Sequence, residues 1–343
     1  MHLRLAALLS AAMVGLVPAS VDPGDAVRTV PAVDHVVLVS VDGLNPDAIR
    51  QLGPTGAPTF YRLVRQGAST LNARTEYEAT QTLPNHTGMV TGRPVTATGG
   101  HRVTFNEDNG STVHARAGTY AASVFDVVHD NGGSTALFAG KTKFDFLDRS
   151  WNASNGAVDR TGADNGRDKI DLYRKAAPSV ITDGLIASLR TAPRDFSMLH
   201  LRGPDAVGHA KGYMSQAYLN EVAATDRLIG RLLEAIAARP SLAASTVVVV
   251  TSDHGGLGFS HADATRAVNY TIPFYVWGRG VPAGADLYAL NPDRANPGTS
   301  RPAYAATVQP IRNAEAGNLV TELLGLRAIP GSRINATQTL DVG

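Results

Sequence analysis

The chain has 343 residues, a formal net charge of +1 at pH 7, and no cysteine. The lack of cysteine excludes disulfide bonds, thiol nucleophiles and thiolate metal sites, so a packed core must stabilise the fold. The near-zero net charge gives no general attraction to nucleic acid or to an anionic membrane surface. Any anion-binding site must therefore be local.

The first residues are typical of an export signal. His2 and Arg4 precede an apolar run from Leu5 to Val17, and small residues follow where a signal peptidase could cleave. We expect residues 1–19 to be a cleaved signal peptide, residues 20–343 to form a single domain, and the mature protein to be secreted or extracytoplasmic. The run is short for a membrane span, and no later stretch reaches that length, although a retained N-terminal anchor is the alternative.

Strand and helix patterns alternate along the rest of the chain. Short β-branched and apolar runs predict buried strands at 35–41, 135–139, 197–201, 246–251 and 273–277. Apolar residues at helical spacing predict helices at 179–191, 216–238 and 314–326. This alternation predicts an α/β fold with a mostly parallel central sheet sandwiched by helices. Two polar or Pro-rich stretches, 141–175 and 282–310, are predicted to be surface loops that could wall a binding site.

Acidic side chains follow three of the predicted strands. Asp42 follows the first strand, Asp205 lies just beyond the strand at 197–201, and Asp253 follows the strand at 246–251. Ligands of open α/β sheets bind outside the carboxyl ends of the strands. We therefore expect the three carboxylates to meet at one edge of the sheet.

Three histidines accompany these acids. His209 comes four residues after Asp205, while His254 and His261 follow Asp253 across a glycine-rich segment. Three carboxylates and three imidazoles can hold two divalent cations, and such a pair can clamp the attacking and leaving oxygens of a phosphoryl transfer. Each motif is weak by itself, because Asp253 could cap a turn and an Asp–His pair at this spacing recurs by chance.

Thr82 offers a hydroxyl nucleophile. The Leu83-Pro84 that follows it predicts a helix N-terminus at Thr82, because proline is favoured in the first helical turn. Free backbone N–H groups at such a terminus favour a phosphate, and a metal bound to the hydroxyl would favour its alkoxide at neutral pH. The simpler alternative is a threonine that only caps its helix.

Four motifs, VSVDG, TQTLPNHTGMVTG, GPDAVGHAKG and SDHGG, lie in this order between residue 36 and about residue 278. Together they resemble the alkaline phosphatase superfamily, and within it the type I phosphodiesterase/nucleotide pyrophosphatase branch. The resemblance implies an alkaline-phosphatase-like fold with two bound divalent metal ions, zinc in this branch. The implied ligands of one ion are Asp42, Thr82, Asp253 and His254, and those of the other are Asp205, His209 and a third histidine.

In this branch the third histidine usually comes late in the chain. No histidine follows His261 here, so the resemblance leaves His261 for this position. A similar SDHG…SH arrangement occurs in the phosphoethanolamine-transferring enzymes of glycolipid anchors. Asn106 matches the position that donates an amide hydrogen bond to a nonbridging phosphate oxygen, with an ordinary loop asparagine as the alternative. His86 and His200 are interpreted as supporting residues, because the ligand set is already full.

The resemblance implies a phosphoric ester hydrolase that forms a phosphothreonine at Thr82 and acts on a small phosphorylated substrate, and the export signal predicts that this hydrolase is secreted. Phosphodiesters or nucleotide pyrophosphates are expected, because neutral Asn106 suits a diester monoanion, although Arg102 could reach the phosphate and reverse this preference. A phosphomonoesterase, a phosphonate hydrolase or a phosphotransferase is the alternative within the superfamily. A non-catalytic, metal-stabilised binding protein is the alternative from another class. A formylglycine sulfatase is excluded, because threonine cannot be converted to formylglycine. The sequence predicts no particular oligomeric state.

Overall fold

The structure is a computed structural model, and it describes residues 33–163 and 166–343. The predicted signal peptide at 1–19 lies outside the described residues. Within them, the helices are too short or too polar for any to cross a lipid bilayer.

One mixed sheet of eight strands forms the centre of the described chain. The strands are β1 His35–Val41, β2 Ala68–Arg74, β3 Thr135–Ala139, β4 Leu172–Lys175, β5 Phe196–Leu201, β6 Thr246–Thr251, β7 Thr271–Gly278 and β8 Ala285–Asp286. Their order across the sheet is β4-β3-β5-β1-β6-β7-β2-β8. The five strands from β4 to β6 run parallel, and β7 is antiparallel to both β6 and β2.

Helices cover both faces of this sheet. They are α1 Pro46–Gly56, α2 Pro58–Gln66, α3 Thr82–Thr91, α4 Val113–Ala117, α5 Val124–His129, α6 Asp145–Trp151, α7 Pro178–Thr191, α8 Gly203–Lys211, α9 Gln216–Ala237, α10 Pro240–Ser245, α11 Ala267–Tyr270, α12 Leu287–Leu290 and α13 Ala316–Leu323. Two short 3₁₀ helices lie at Thr142–Phe144 and Asn313–Glu315.

Strand β1 shows why the sheet is covered on both sides. Alternate side chains of a strand point to opposite faces. Val36 and Leu38 belong to a core shared with α3, α5 and α13, whereas Val37 and Val39 belong to a second core shared with α1, α2, α7 and α9. Parallel strands buried on both faces have nearly continuous apolar sequences, as HVVLVSV has. The predicted α/β fold with a mostly parallel, helix-covered sheet is confirmed.

The stretch 141–175 differs from its prediction as a surface loop. It contains helix α6 and ends in strand β4, which pairs with β3 at the edge of the sheet. The sequence of β4, LYRK, is partly exposed and ends in two cations, so it lacks the apolar pattern of the central strands. Strand β2 was not predicted either, because ASTLNAR mixes polar and small residues. The extent of the single domain stays a prediction.

Candidate metal centre

The three predicted carboxylates meet at the carboxyl edge of the sheet. Strand β1 lies between β5 and β6. Ser40 near the end of β1 pairs with His200 near the end of β5 and with Thr251 at the end of β6, so the three strands end at the same edge of the sheet. Asp42 directly follows β1, Asp205 is in the first turn of α8, and Asp253 is two residues beyond β6. All three are buried, and the backbone N–H of Asp205 donates to the carbonyl of Asp42 at 3.0 Å.

Asp42, Asp253 and His254 form the first group. The Nε2 atom of His254 lies 3.4 Å from Oδ1 of Asp42 and 3.3 Å from Oδ2 of Asp253. The Nδ1–H of His254 donates to the carbonyl of Gly255 at 2.8 Å, so its Nε2 presents a lone pair to the two carboxylates. None of these three atoms has a hydrogen-bond partner, and neither has the buried Oγ1 of Thr82.

Asp205, His209 and His261 form the second group. The Nδ1–H of His261 donates to the carbonyl of Thr80 at 2.6 Å, and that of His209 donates to the carbonyl of Phe259 at 2.9 Å. Both Nε2 atoms therefore present lone pairs, and they lie only 3.1 Å apart. Oδ1 of Asp205 is 3.4 Å from the Nε2 of His209 and 3.5 Å from that of His261. Two facing lone pairs repel each other unless a proton or a cation lies between them.

These two groups fit divalent metal ions. With metal–ligand bonds of about 2.0 Å, the ligands of a tetrahedral zinc ion lie roughly 3.3 Å from one another, and the distances within both groups are close to this. Metal-binding histidines usually donate their second ring N–H to a carbonyl or a carboxylate, as all three do here. Three triads in the described residues have ligand atoms within 4.8 Å of one another. Two of them belong to this centre, namely Asp42, Asp253 and His254, and Asp205, His254 and His261; the third is His129, Asp130 and Asp159.

The pKa values of these residues reflect crowded charge. Burial opposes ionisation of Asp42, but the ammonium of Lys141 and a hydrogen bond from His200 hold the pKa of Asp42 well below its usual value. Burial, together with the charge of Asp42, raises the pKa of Asp253 well above its usual value. Burial and the neighbouring imidazole of His261 lower the pKa of His254 to about 3. The centre thus keeps an unprotonated imidazole among carboxylates whose mutual repulsion a cation would relieve.

Lys141 is a member of the centre that the sequence interpretation missed. It follows β3, the neighbour of β5 in the sheet, and its Nζ lies 2.6 Å from Oδ2 of Asp42 and 2.5 Å from Oδ2 of Asp205. A lysine two residues after a predicted apolar strand was the available signal, but it belongs to no motif.

His200 and His86 support the centre without a free ligand atom of their own. The backbone N–H of Gly140 donates to Nδ1 of His200 at 3.2 Å, so the Nε2–H of His200 donates to Oδ2 of Asp42 at 2.9 Å. The Nδ1 of His86 lies 2.7 Å from the carbonyl oxygen of Thr82, to which it donates. The same nitrogen is 3.6 Å from Oδ2 of Asp253, so His86 connects the backbone of Thr82 with the first group.

The side chain of Asn106 contacts the N-terminus of the helix that begins with Thr82. Helix α3 begins at Thr82, and the backbone N–H of Leu83 donates to Oδ1 of Asn106 at 3.0 Å. This contact orients the amide, so that its Nδ2–H groups remain for another acceptor. Arg102 is exposed and donates through Nη1 to the carbonyl of Thr96.

Two glycines let the loop after β6 pack closely. A Cβ atom added to Gly255 would lie 2.0 Å from the carbonyl oxygen of Val268, and one added to Gly256 would lie 2.3 Å from the ring of Tyr213. Tyr213 in turn donates its hydroxyl to Oδ1 of Asp205 at 2.5 Å. Close approach in this loop therefore positions His254 and connects it to the second group.

The model of the type I phosphodiesterase/nucleotide pyrophosphatase family matches residues 36–319. The chain therefore belongs to this family, and its class is that of a phosphoester hydrolase. No curated protein matches the chain.

Solved structures of the alkaline phosphatase superfamily share the fold. An inactive variant of murine ectonucleotide pyrophosphatase/phosphodiesterase 5, in complex with AMP, has a TM-score of 0.60 and 14% identity, over 87% of this chain and 96% of that chain. A Bacteroides thetaiotaomicron sulfatase has a TM-score of 0.61 and 16% identity, over 91% and 77% of the two chains. The lipoteichoic acid synthase LtaP of Listeria monocytogenes has a TM-score of 0.57 and 12% identity, over 90% and 76%. At these identities the likeness concerns the fold.

Proposed function

We propose that this protein is a secreted two-zinc hydrolase that cleaves phosphodiesters or nucleotide pyrophosphates, with Thr82 as the nucleophile. The observation that carries the proposal is a set of four buried polar atoms without partners, which are Oδ1 of Asp42, Oγ1 of Thr82, Oδ2 of Asp253 and Nε2 of His254. A buried polar atom without a partner costs about 1–3 kcal/mol. A bound cation best explains this set, because Nε2 of His254 lies within 3.4 Å of the free oxygens of Asp42 and Asp253 and His86 connects Thr82 to the same group.

The residues present divide naturally between two ions. Asp42, Thr82, Asp253 and His254 would hold one ion, and Asp205, His209 and His261 would hold the other. When bound, the ions supply positive charge that favours the alkoxide of the nucleophile and stabilises the attacking and leaving oxygens.

The protein's own groups position the phosphoryl group. Thr82 is the first residue of α3, where the dipole of the helix favours an anion. Its Oγ1 attacks phosphorus, the bond to the leaving oxygen breaks, and water later hydrolyses the phosphothreonine. Asn106 donates through Nδ2 to a nonbridging oxygen, because Leu83 already occupies its Oδ1. The exposed edge of the centre, at His209, leaves room for the leaving group.

The family and one relative suggest the first substrates to test. The family comprises type I phosphodiesterases and nucleotide pyrophosphatases, and the murine relative was solved with AMP. Nucleotide diesters and pyrophosphates therefore head the panel, with bis-p-nitrophenyl phosphate as a general diester. Secretion rests on the predicted signal peptide.

The decisive experiment replaces Thr82. We expect Thr82→Ala to abolish diester turnover while keeping most of the bound zinc, and Thr82→Ser to keep part of the turnover. Thr87→Ala is the matched control, because Thr87 is buried in the same helix but already donates its hydroxyl to the carbonyl of Leu83 at 2.7 Å. Turnover by Thr82→Ala at the wild-type rate would exclude attack by Thr82. Zinc binding without turnover of any ester by the wild type would instead favour the metal-stabilised binding protein.

A further inference from the structure

Lys141 contacts both metal-binding groups without contacting the carboxylate oxygens that face His254 and His261. Its Nζ contacts Oδ2 of Asp42 and Oδ2 of Asp205. The other oxygen of each carboxylate faces an imidazole: Oδ1 of Asp42 lies 3.4 Å from Nε2 of His254, and Oδ1 of Asp205 lies 3.5 Å from Nε2 of His261. The lysine and two metal ions can therefore be present together.

The position of Lys141 is well defined. Its side chain is only 15% exposed. The preceding residue, Gly140, donates its backbone N–H to His200, which itself donates to Oδ2 of Asp42. The ammonium thus shares this oxygen with His200 in a connected hydrogen-bond network.

The lysine changes the charge of the centre. Three carboxylates contribute about −3 and two divalent ions about +4, so the loaded centre carries about +1 without the lysine and about +2 with it. Coulomb attraction to this extra charge is twice as large for the dianion of a phosphomonoester as for the monoanion of a diester. The expectation of a diester preference rested on the neutral side chain of Asn106 and did not include this cation.

We propose that Lys141 is a specificity-determining residue that weakens metal binding and makes phosphomonoester dianions acceptable substrates beside diesters. The proposal rests on the proposed hydrolase function of the same centre. Lys141 acts through its charge on the metal-binding carboxylates and on the bound phosphoryl group, and it performs no chemical step.

The first test measures zinc affinity, which does not depend on turnover. Zinc dissociation constants are determined by chelator competition at one pH for the wild type, Lys141→Met and Lys143→Met. Lys143 is the matched control, because it is two residues away and mostly buried but pairs with Glu107 at 2.8 Å instead of with the centre. We expect Lys141→Met to bind zinc about tenfold more tightly, which is about 1.4 kcal/mol, and Lys143→Met to bind like the wild type.

The direction of the change in zinc affinity distinguishes an electrostatic effect of Lys141 from a structural one. If Lys141 only held the two aspartates in place, its loss would weaken zinc binding. Weaker or unchanged binding by Lys141→Met overturns the proposal. Lys141→Gln serves the same comparison if the methionine variant does not fold, as judged by circular dichroism.

The second test compares two substrates at saturating zinc. The ratio of kcat/KM for bis-p-nitrophenyl phosphate to that for p-nitrophenyl phosphate should rise about tenfold in Lys141→Met and stay near the wild-type value in Lys141→Arg. An unchanged ratio in Lys141→Met overturns the proposal. A wild type that hydrolyses neither these esters nor nucleotide diesters and pyrophosphates would refute the proposed hydrolase function, and the zinc titration would still decide whether Lys141 opposes metal binding.

Discussion

Glu76 should make the protein less stable as the pH rises through neutrality. Its carboxyl is fully buried; Oε2 accepts the hydroxyl hydrogen bond of Tyr304 and Oε1 has no partner. Burial raises the pKa of Glu76 to about 8, against a usual value of 4.5. Between these two values the folded protein keeps a proton that the unfolded chain has lost, so the free energy of unfolding decreases with increasing pH.

The size of this effect follows from the same two pKa values. Each pKa unit corresponds to about 1.36 kcal/mol, so the window from 4.5 to about 8 sets an upper bound of about 5 kcal/mol. We expect about 2–3 kcal/mol, because local relaxation and water entry reduce the penalty of a buried charge.

The assay compares the wild type with Glu76→Gln by urea unfolding from pH 4 to pH 9. Glutamine keeps the shape of the side chain and stays neutral, so the variant should gain stability over the wild type as the pH rises from 4.5, and the gain should level off above about 8. Glu234→Gln is the control, because it removes an exposed carboxylate on α9. A stability difference between Glu76→Gln and the wild type that does not change with pH would refute the reasoning.

Two further predictions concern the centre and its loop. Purified protein should contain about two zinc ions per chain. His261→Ala should lower zinc content and turnover more than His86→Ala or His200→Ala, because of these three histidines His261 alone presents a lone pair to Asp205, at 3.5 Å. Metal analysis that finds equal zinc in all three variants would contradict this. Gly255→Ala should destabilise the fold by roughly 1–3 kcal/mol, because its methyl group would lie 2.0 Å from a backbone carbonyl oxygen, whereas Gly166→Ala adds a methyl group with no atom within 4 Å. Thermal melting of both variants checks this, and equal melting temperatures would refute the packing argument.

The central strands could be predicted from the sequence because they are buried on both faces. Strands β1, β3 and β6 have the predicted bounds, since a continuous apolar run leaves little choice of where a buried strand begins and ends. Strands β2 and β4 could not be predicted in this way. They lie near the two edges of the sheet, where solvent and neighbouring loops accept polar side chains.

The sequence by itself determined the α/β class and the convergence of Asp42, Asp205 and Asp253, because parallel strands present their carboxyl ends at one edge. Only the tertiary structure decided which atoms of the centre are free. Thr80 and Phe259 use their backbone carbonyls to orient the imidazoles of the second group, and backbone groups carry no sequence signature. Likewise, Lys141 reaches the centre because β3 lies beside β5, and the order of strands in a sheet does not follow from the hydrophobic pattern of each strand.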